Sequence, residues 1–356
     1  MRKLLYAALL PLCTLLSTTM VSSAQDEFDE EDASAQEDPN APAGPKPFRA
    51  QALLVMDRKQ FQYIWIIAAT KSEIRYLESP VAIDTIDMRI AKAKSIYLIE
   101  PKEFAQALDL FQARKYAEAK VKFAAIKLRH KSMESMPGNH SALAEFYELE
   151  CMRKLGDLEG LAAGLKGFIK DPLTRESQLR QVDAYVFWDA VRTKSWARID
   201  ALAKERAAEH LPNFIRAQIG YCHGLALEAL GKTGPALNAY NTAMVADSGA
   251  SEEITRLAAL NVMRIHKANP AVQLAMKLWR TPDENKNAQG YYRLLEASAM
   301  AKFYEFLLGG GTPLPAEYKD LLKFQEDDKA AAAKEPAPKP EKAKGAGEDK
   351  AADDEK

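Results

Sequence analysis

Five histidines, a few cysteines and some close-set carboxylates are the groups in this sequence with the most obvious chemistry, and their spacing argues against most uses of it. His130, His140, His210, His223 and His266 are scattered along the chain. Cys222 and His223 are neighbours. On a helix, adjacent side chains point about 100° apart, so this pair cannot readily share a metal ion. Cys13 falls in the N-terminal apolar stretch, which leaves Cys151 and Cys222 in the body. Two cysteines in a chain of this size do not make a disulfide framework. Glu145, Glu148 and Glu150 have metal-ligand chemistry but no turn to converge them, and a solvated helix face is their expected place. Tyr185, Phe187, Trp188 and Trp196 could cage a ligand, although a core contact between helices is the simpler reading. Asn139-His-Ser fits a glycosylation sequon, a pattern short enough to arise by chance. G-x-S-x-G, H-E-x-x-H, a phosphate loop and C-x-x-C are all missing from the sequence. The expectation is a protein that is not an enzyme and needs neither metal nor cofactor.

Bulk composition narrows the partners. Hydrophobic residues make up 47% and charged residues 28%, as in soluble globular proteins. The formal net charge of −1 gives no general attraction to nucleic acid. Residues 1–24 have the form of a signal peptide. Arg2 and Lys3 precede the apolar run Leu4 to Leu16, and Ser22-Ser23-Ala24 offers a cleavage site. Residues 25–49 read as a disordered linker, acidic from Asp26 to Asp38 and then rich in proline. Residues 326–356 read as a disordered charged tail of Lys, Glu, Asp, Ala, Pro and Gly. Export to the periplasm or cell envelope of a Gram-negative-type bacterium follows from this reading.

Between the ends, the hydrophobic period changes once. Residues 50–100 are β-rich. Phe61 to Ala69 is aromatic and β-branched, while Glu73 to Glu78 and Ile86 to Ile90 alternate with period two. Four or five short strands are expected, loosely similar to SH3-like modules. From Pro101 the period is helical. Gly224, Gly231, Ala236, Tyr240 and Ala243 fall at intervals of seven, five, four and three residues. Turn markers recur at Arg114, Gly156, Lys194, Gly231, Asn269 and Gly309, 37 to 42 residues apart. Ala119 and Phe123 occupy in the first unit the places of Ala236 and Tyr240 in the fourth.

This pattern resembles the tetratricopeptide repeat, in which a small residue lets two helices approach and a large aromatic fills the gap between them. The resemblance covers residues 101–325. It implies a mostly α fold, a right-handed α–α superhelix of about six helix pairs, preceded by the small β-rich module. It also implies that Ala119, Phe123, Gly156, Gly224, Gly231, Ala236, Tyr240 and Ala243 are repeat-packing residues.

In such solenoids the first helix of each pair lines the concave face. Carried over unit by unit, the residues implied to meet a protein or peptide partner are Phe146, Arg153, Trp188, Arg192, Tyr221, Glu228 and Lys267. Aromatic anchors mixed with arginine suit peptide recognition. As exposed residues, Arg153 and Arg192 would tolerate charge reversal without loss of the fold. The expected function is a non-catalytic exported scaffold. The alternative is a helical-repeat carbohydrate-active or hydrolytic enzyme of the envelope, which would need paired acids in a cleft. The N-terminal reading is checked by sequencing the mature protein, whose first residue is expected to be Gln25.

Overall fold

The computed structural model describes residues 48–56, 60–247, 249 and 252–325. The expectations for the signal peptide, for the linker up to Pro47 and for the charged tail lie outside these residues. Strands β1 (Ala50–Val55), β2 (Phe61–Ala69), β3 (Glu73–Leu77), β4 (Ile86–Arg89) and β5 (Ser95–Leu98) form an antiparallel sheet in the order β4-β3-β2-β1-β5. Side chains alternate across a strand. In β1 this buries Ala50, Ala52 and Leu54 and turns Gln51, Leu53 and Val55 outward. Ile64 and Ile66 extend the inner face along β2, and a bulge follows between Ile66 and Ala68. Ile74 and Tyr76 complete the face. Against it pack Met133 and Met136, which lie between the second and third helices. Ser132 Oγ donates to the Ile67 carbonyl at 2.9 Å, which ties the turn after α2 to the sheet.

The rest of the described chain is mostly helical. The helices are α1 (Lys102–Gln112), α2 (Tyr116–Arg129), α3 (His140–Leu155), α4 (Leu158–Leu165), α5 (Glu176–Arg192), α6 (Trp196–Arg206), α7 (Asn213–Ala229), α8 (Thr233–Ala246), α9 (Glu252–Ala268), α10 (Pro270–Leu278) and α11 (Gln289–Phe303). A π-helical turn, Tyr304–Leu308, and a 3-10 helix, Ala316–Lys323, follow. Sequential helices pack on one another, and α5 touches α7, α7 touches α9, and α9 touches α11.

One turn device is used four times. Arg114, Gly156, Lys194 and Gly231 all adopt left-handed backbone, with φ of 62°, 74°, 53° and 74°. After each, the next amide reaches back five residues. Lys115 donates to Leu110 O, Asp157 to Met152 O, Ser195 to Ala190 O and Lys232 to Leu227 O, all at 2.8–2.9 Å. This is the Schellman closure, which satisfies the last carbonyls of a helix and reverses the chain. The fifth marker works differently. Asn269 has ordinary backbone and caps α10 instead, its side chain accepting from Ala271 N at 2.9 Å ahead of Pro270.

α7 and α8 pack closely. Gly224 faces the ring of Tyr240, and a Cβ there would lie 2.5 Å from Tyr240 Cε1. Ala236, Tyr240 and Ala243 are wholly buried, as are Ala119 and Phe123 in the first pair. Gly156 and Gly231 were expected to pack between helices, and here the structure differs. A Cβ on either would meet nothing within 4 Å. Their role is conformational, because L-residues pay a steric penalty in the left-handed region. Two substitutions separate the roles. Gly224→Ala is expected to cost about 1–3 kcal/mol by overpacking, and Gly231→Ala roughly 1–2 kcal/mol by backbone strain. Urea unfolding of both variants, with Gly234→Ala as a control at a site of ordinary backbone and open space, checks this.

Candidate functional site

The inner helices bring a polar cluster into the interior. Arg153, near the end of α3, keeps only 3% of its side chain exposed. Its Nε and Nη2 donate to Glu150 at 3.0 and 3.1 Å, and Nη2 also reaches Glu253 Oε1 of α9 at 3.1 Å. Lys154 Nζ donates to the same Glu253 oxygen at 2.9 Å. Tyr185 of α5 donates its hydroxyl to Glu150 Oε1 at 2.7 Å. The guanidinium lies 5.5 Å from the centre of the Trp188 ring.

A second set lies alongside. Gln181 of α5 and Gln218 of α7 exchange amide hydrogen bonds at 3.0 and 2.7 Å, and Trp188 Nε1 donates to Gln218 Oε1 at 2.8 Å. Four helices, α3, α5, α7 and α9, are thereby tied through side chains.

Burial sets the protonation states. Desolvation opposes the Arg153 charge, but Glu150 and Glu253 outweigh it and raise its pKa, so it stays a cation. Burial and then Glu150 push the Tyr185 hydroxyl well above its ordinary value. Burial pushes Glu253 up, yet Arg153 and Lys154 overcome this and lower its pKa. Desolvation raises the thiol of Cys151 to about 12 and that of Cys222 further, and both are free and buried. A thiol held so firmly protonated is a poor nucleophile.

A pocket of about 230 Å³ opens beside this cluster. Phe111, Phe146, Tyr147 and Phe214 supply aromatic wall, and Arg175, Gln178, Gln181 and Gln218 supply polar wall. Two buried polar atoms here have no hydrogen-bond partner among the described residues, Arg153 Nη1 and Gln178 Oε1. One is a donor and the other an acceptor. Arg175 is exposed and forms no ion pair among the described residues. Counting Glu150 and Glu253 against Arg153, Lys154 and Arg175, the site carries one excess positive charge.

The residues expected on an exposed concave strip divide into two groups. Phe146, Arg153, Trp188 and Tyr221 come together, but all four are buried, at 5–9% exposure. This corrects their expected exposure: the inner helices approach closely enough for α3 to reach α9, which closes the strip. Arg153 is therefore a structural cation whose charge reversal the fold will not tolerate. Arg192, Glu228 and Lys267 lie apart and already have partners. Arg192 pairs with Asp189 and Glu159, Glu228 with Arg264 and the Tyr240 hydroxyl, and Lys267 with Asp320. Gln178, Gln181, Gln218, Phe214, Arg175 and Glu253 were missed. A signal for part of this set was present: Gln181 and Gln218 are 37 residues apart, a spacing that the turn markers share.

Among the described residues, no group of three or more His, Cys, Asp or Glu is placed to hold a metal, and no helix is long and apolar enough to cross a membrane. Compared with known proteins, the chain matches no family model, no curated protein and no solved structure.

Removing one partner of a buried ion pair leaves the other charge uncompensated. Arg153→Met is therefore expected to cost about 3–5 kcal/mol. Arg192→Ala, which removes a half-buried cation whose ion pairs with Glu159 and Asp189 lie at the surface, is expected to move the midpoint far less. Urea denaturation of the two variants beside the parent chain measures the contrast.

Proposed function

We propose that this chain is an exported, non-catalytic scaffold of the cell envelope. In this reading its helices form a right-handed, tetratricopeptide-like solenoid, and its inner pocket holds an extended peptide segment of a partner protein. The observation that carries the reading is a buried donor, Arg153 Nη1, and a buried acceptor, Gln178 Oε1, at one pocket, both without a hydrogen-bond partner among the described residues. A buried polar group without a partner costs about 1–3 kcal/mol. A peptide unit offers one carbonyl and one amide and so can satisfy both. The aromatic wall suits an apolar side chain of the same peptide, and the excess positive charge at Arg175 favours an acidic neighbour. The four identical left-handed turns support the repeat architecture. The signal-like N-terminus supports export. Glu150 and Glu253 are both engaged by Arg153, which disfavours the alternative of a hydrolase using free acid–base carboxyl groups.

The test uses a displayed library of short peptides panned against the full chain. Enriched peptides are expected to carry an apolar residue beside an acidic one. Their affinity should fall at least about tenfold in Arg175→Glu, because a like charge at an interface costs more than one factor of ten. Melting of that variant should be unchanged, since Arg175 is exposed. Equal binding by the parent and Arg175→Glu, or no enrichment over a chain denatured before panning, defeats the proposal.

A further inference from the structure

The turn between α2 and α3 carries a set of side chains that the helical repeat does not explain. His130 ends α2, His140 begins α3, and Met133 and Met136 lie between them. Successive bonds wind this stretch in steps of three. Met133 N–H donates to His130 O at 3.0 Å, Met136 N–H to Met133 O at 2.9 Å, and Asn139 N–H to Met136 O at 3.3 Å. His130, Met133 and Met136 are buried while Lys131, Ser132 and Pro137 are exposed, so these three side chains turn toward the interior. Gly138, at φ 71°, then turns the chain into α3.

All four side chains are buried: His130 and His140 are each 5% exposed, Met133 0% and Met136 4%. The two imidazole rings lie 5.6 Å apart, centre to centre. Phe48 covers His130 at 4.8 Å, and Phe104 covers His140 at 5.4 Å. Neither His130 Nδ1 nor His140 Nδ1 has a hydrogen-bond partner among the described residues. A metal–imidazole bond of about 2.0 Å puts the ring centre roughly 3 Å from the ion. Two rings on one ion are therefore about 5–6 Å apart, which is the spacing found here.

We propose that His130, Met133, Met136 and His140 form a binding site for Cu(I). Thioether sulfur selects soft ions, and imidazole suits copper. None of the four side chains carries a carboxylate, and neither ring pairs with one among the described residues. A site without negative charge suits a soft monovalent cation and disfavours Zn(II) or Mg(II), whose second charge would be stranded in an apolar interior. Burial leaves both imidazoles in a largely apolar setting, beside Phe48 and Phe104. The inner face of the sheet packs on both methionines and helps exclude water.

The test is a titration of the full chain with Cu(I) under anaerobic reducing conditions. It is followed by the methionine methyl signals in NMR and by competition with a coloured Cu(I) chelator. One equivalent is expected to shift the methyl signals of Met133 and Met136. His140→Asn is expected to weaken binding at least about tenfold, because losing even an outer-shell partner of a metal costs that much. Met133→Leu with Met136→Leu preserves packing volume and should weaken Cu(I) binding similarly while leaving the melting temperature close to that of the parent. Three results would each overturn the proposal: methyl signals unmoved by one equivalent, a double leucine variant that binds Cu(I) as the parent does, or Zn(II) held more tightly than Cu(I). Should His140→Asn fail to fold, the leucine variant and the parent titration decide the matter.

Discussion

The bond from Arg153 to Glu253 sets the character of the helical interior. It joins α3 to α9, with α5 and α7 between them in the chain. Helices in a simple stack touch only their neighbours. A direct side-chain bond across two intervening pairs requires the inner helices to curve in until α3 meets α9. Once that happens, Arg153 lies in a space with almost no water, and everything around it has to answer its charge. Glu150 does so on the same helix, Tyr185 supports Glu150, and Trp188 lies against the guanidinium. The paired glutamines follow from the same enclosure, since a buried amide must find a partner.

Much of the architecture was legible because it depends on local rules. β3 and β4 were readable from period-two alternation, which survives wherever one face of a sheet is buried, and β2 from its aromatic and β-branched residues, whereas β1 was not singled out. The reversals at Arg114, Gly156, Lys194 and Gly231 were readable as a repeating interval, although only two of the four carry the glycine that a left-handed residue favours. Arginine and lysine hold the other two because the flanking helices and the Schellman bonds impose the geometry. Glycine was misread in the opposite sense at Gly156 and Gly231, where backbone freedom and close packing leave the same residue type in the sequence.

The site was legible only in part. Periodicity says which face of a helix points inward, but not how far the inward faces close on one another. Phe146, Arg153, Trp188 and Tyr221 were therefore assigned to the right face and the wrong environment. The polar members Gln178, Gln181 and Gln218 look like solvated residues until their burial is known. The histidines at 130 and 140 looked scattered because ten residues separate them, and the turn between α2 and α3 brings their rings together.

The separation between Arg153 and Glu253 also has a consequence in time. The two are 100 residues apart. At a synthesis rate of about 5–20 residues per second, the arginine leaves the ribosome roughly 5 to 20 seconds before its second carboxylate. Until then Glu150 is its anionic partner, and the helices that must curve inward are incomplete. Neighbouring pairs can dock as they emerge, since their contacts are short in sequence. The α3–α9 bond cannot form at that stage. A chain cut short before α9 would leave a hydrated cation where the whole protein has a dry interior, so this bond distinguishes a finished molecule from a partial one.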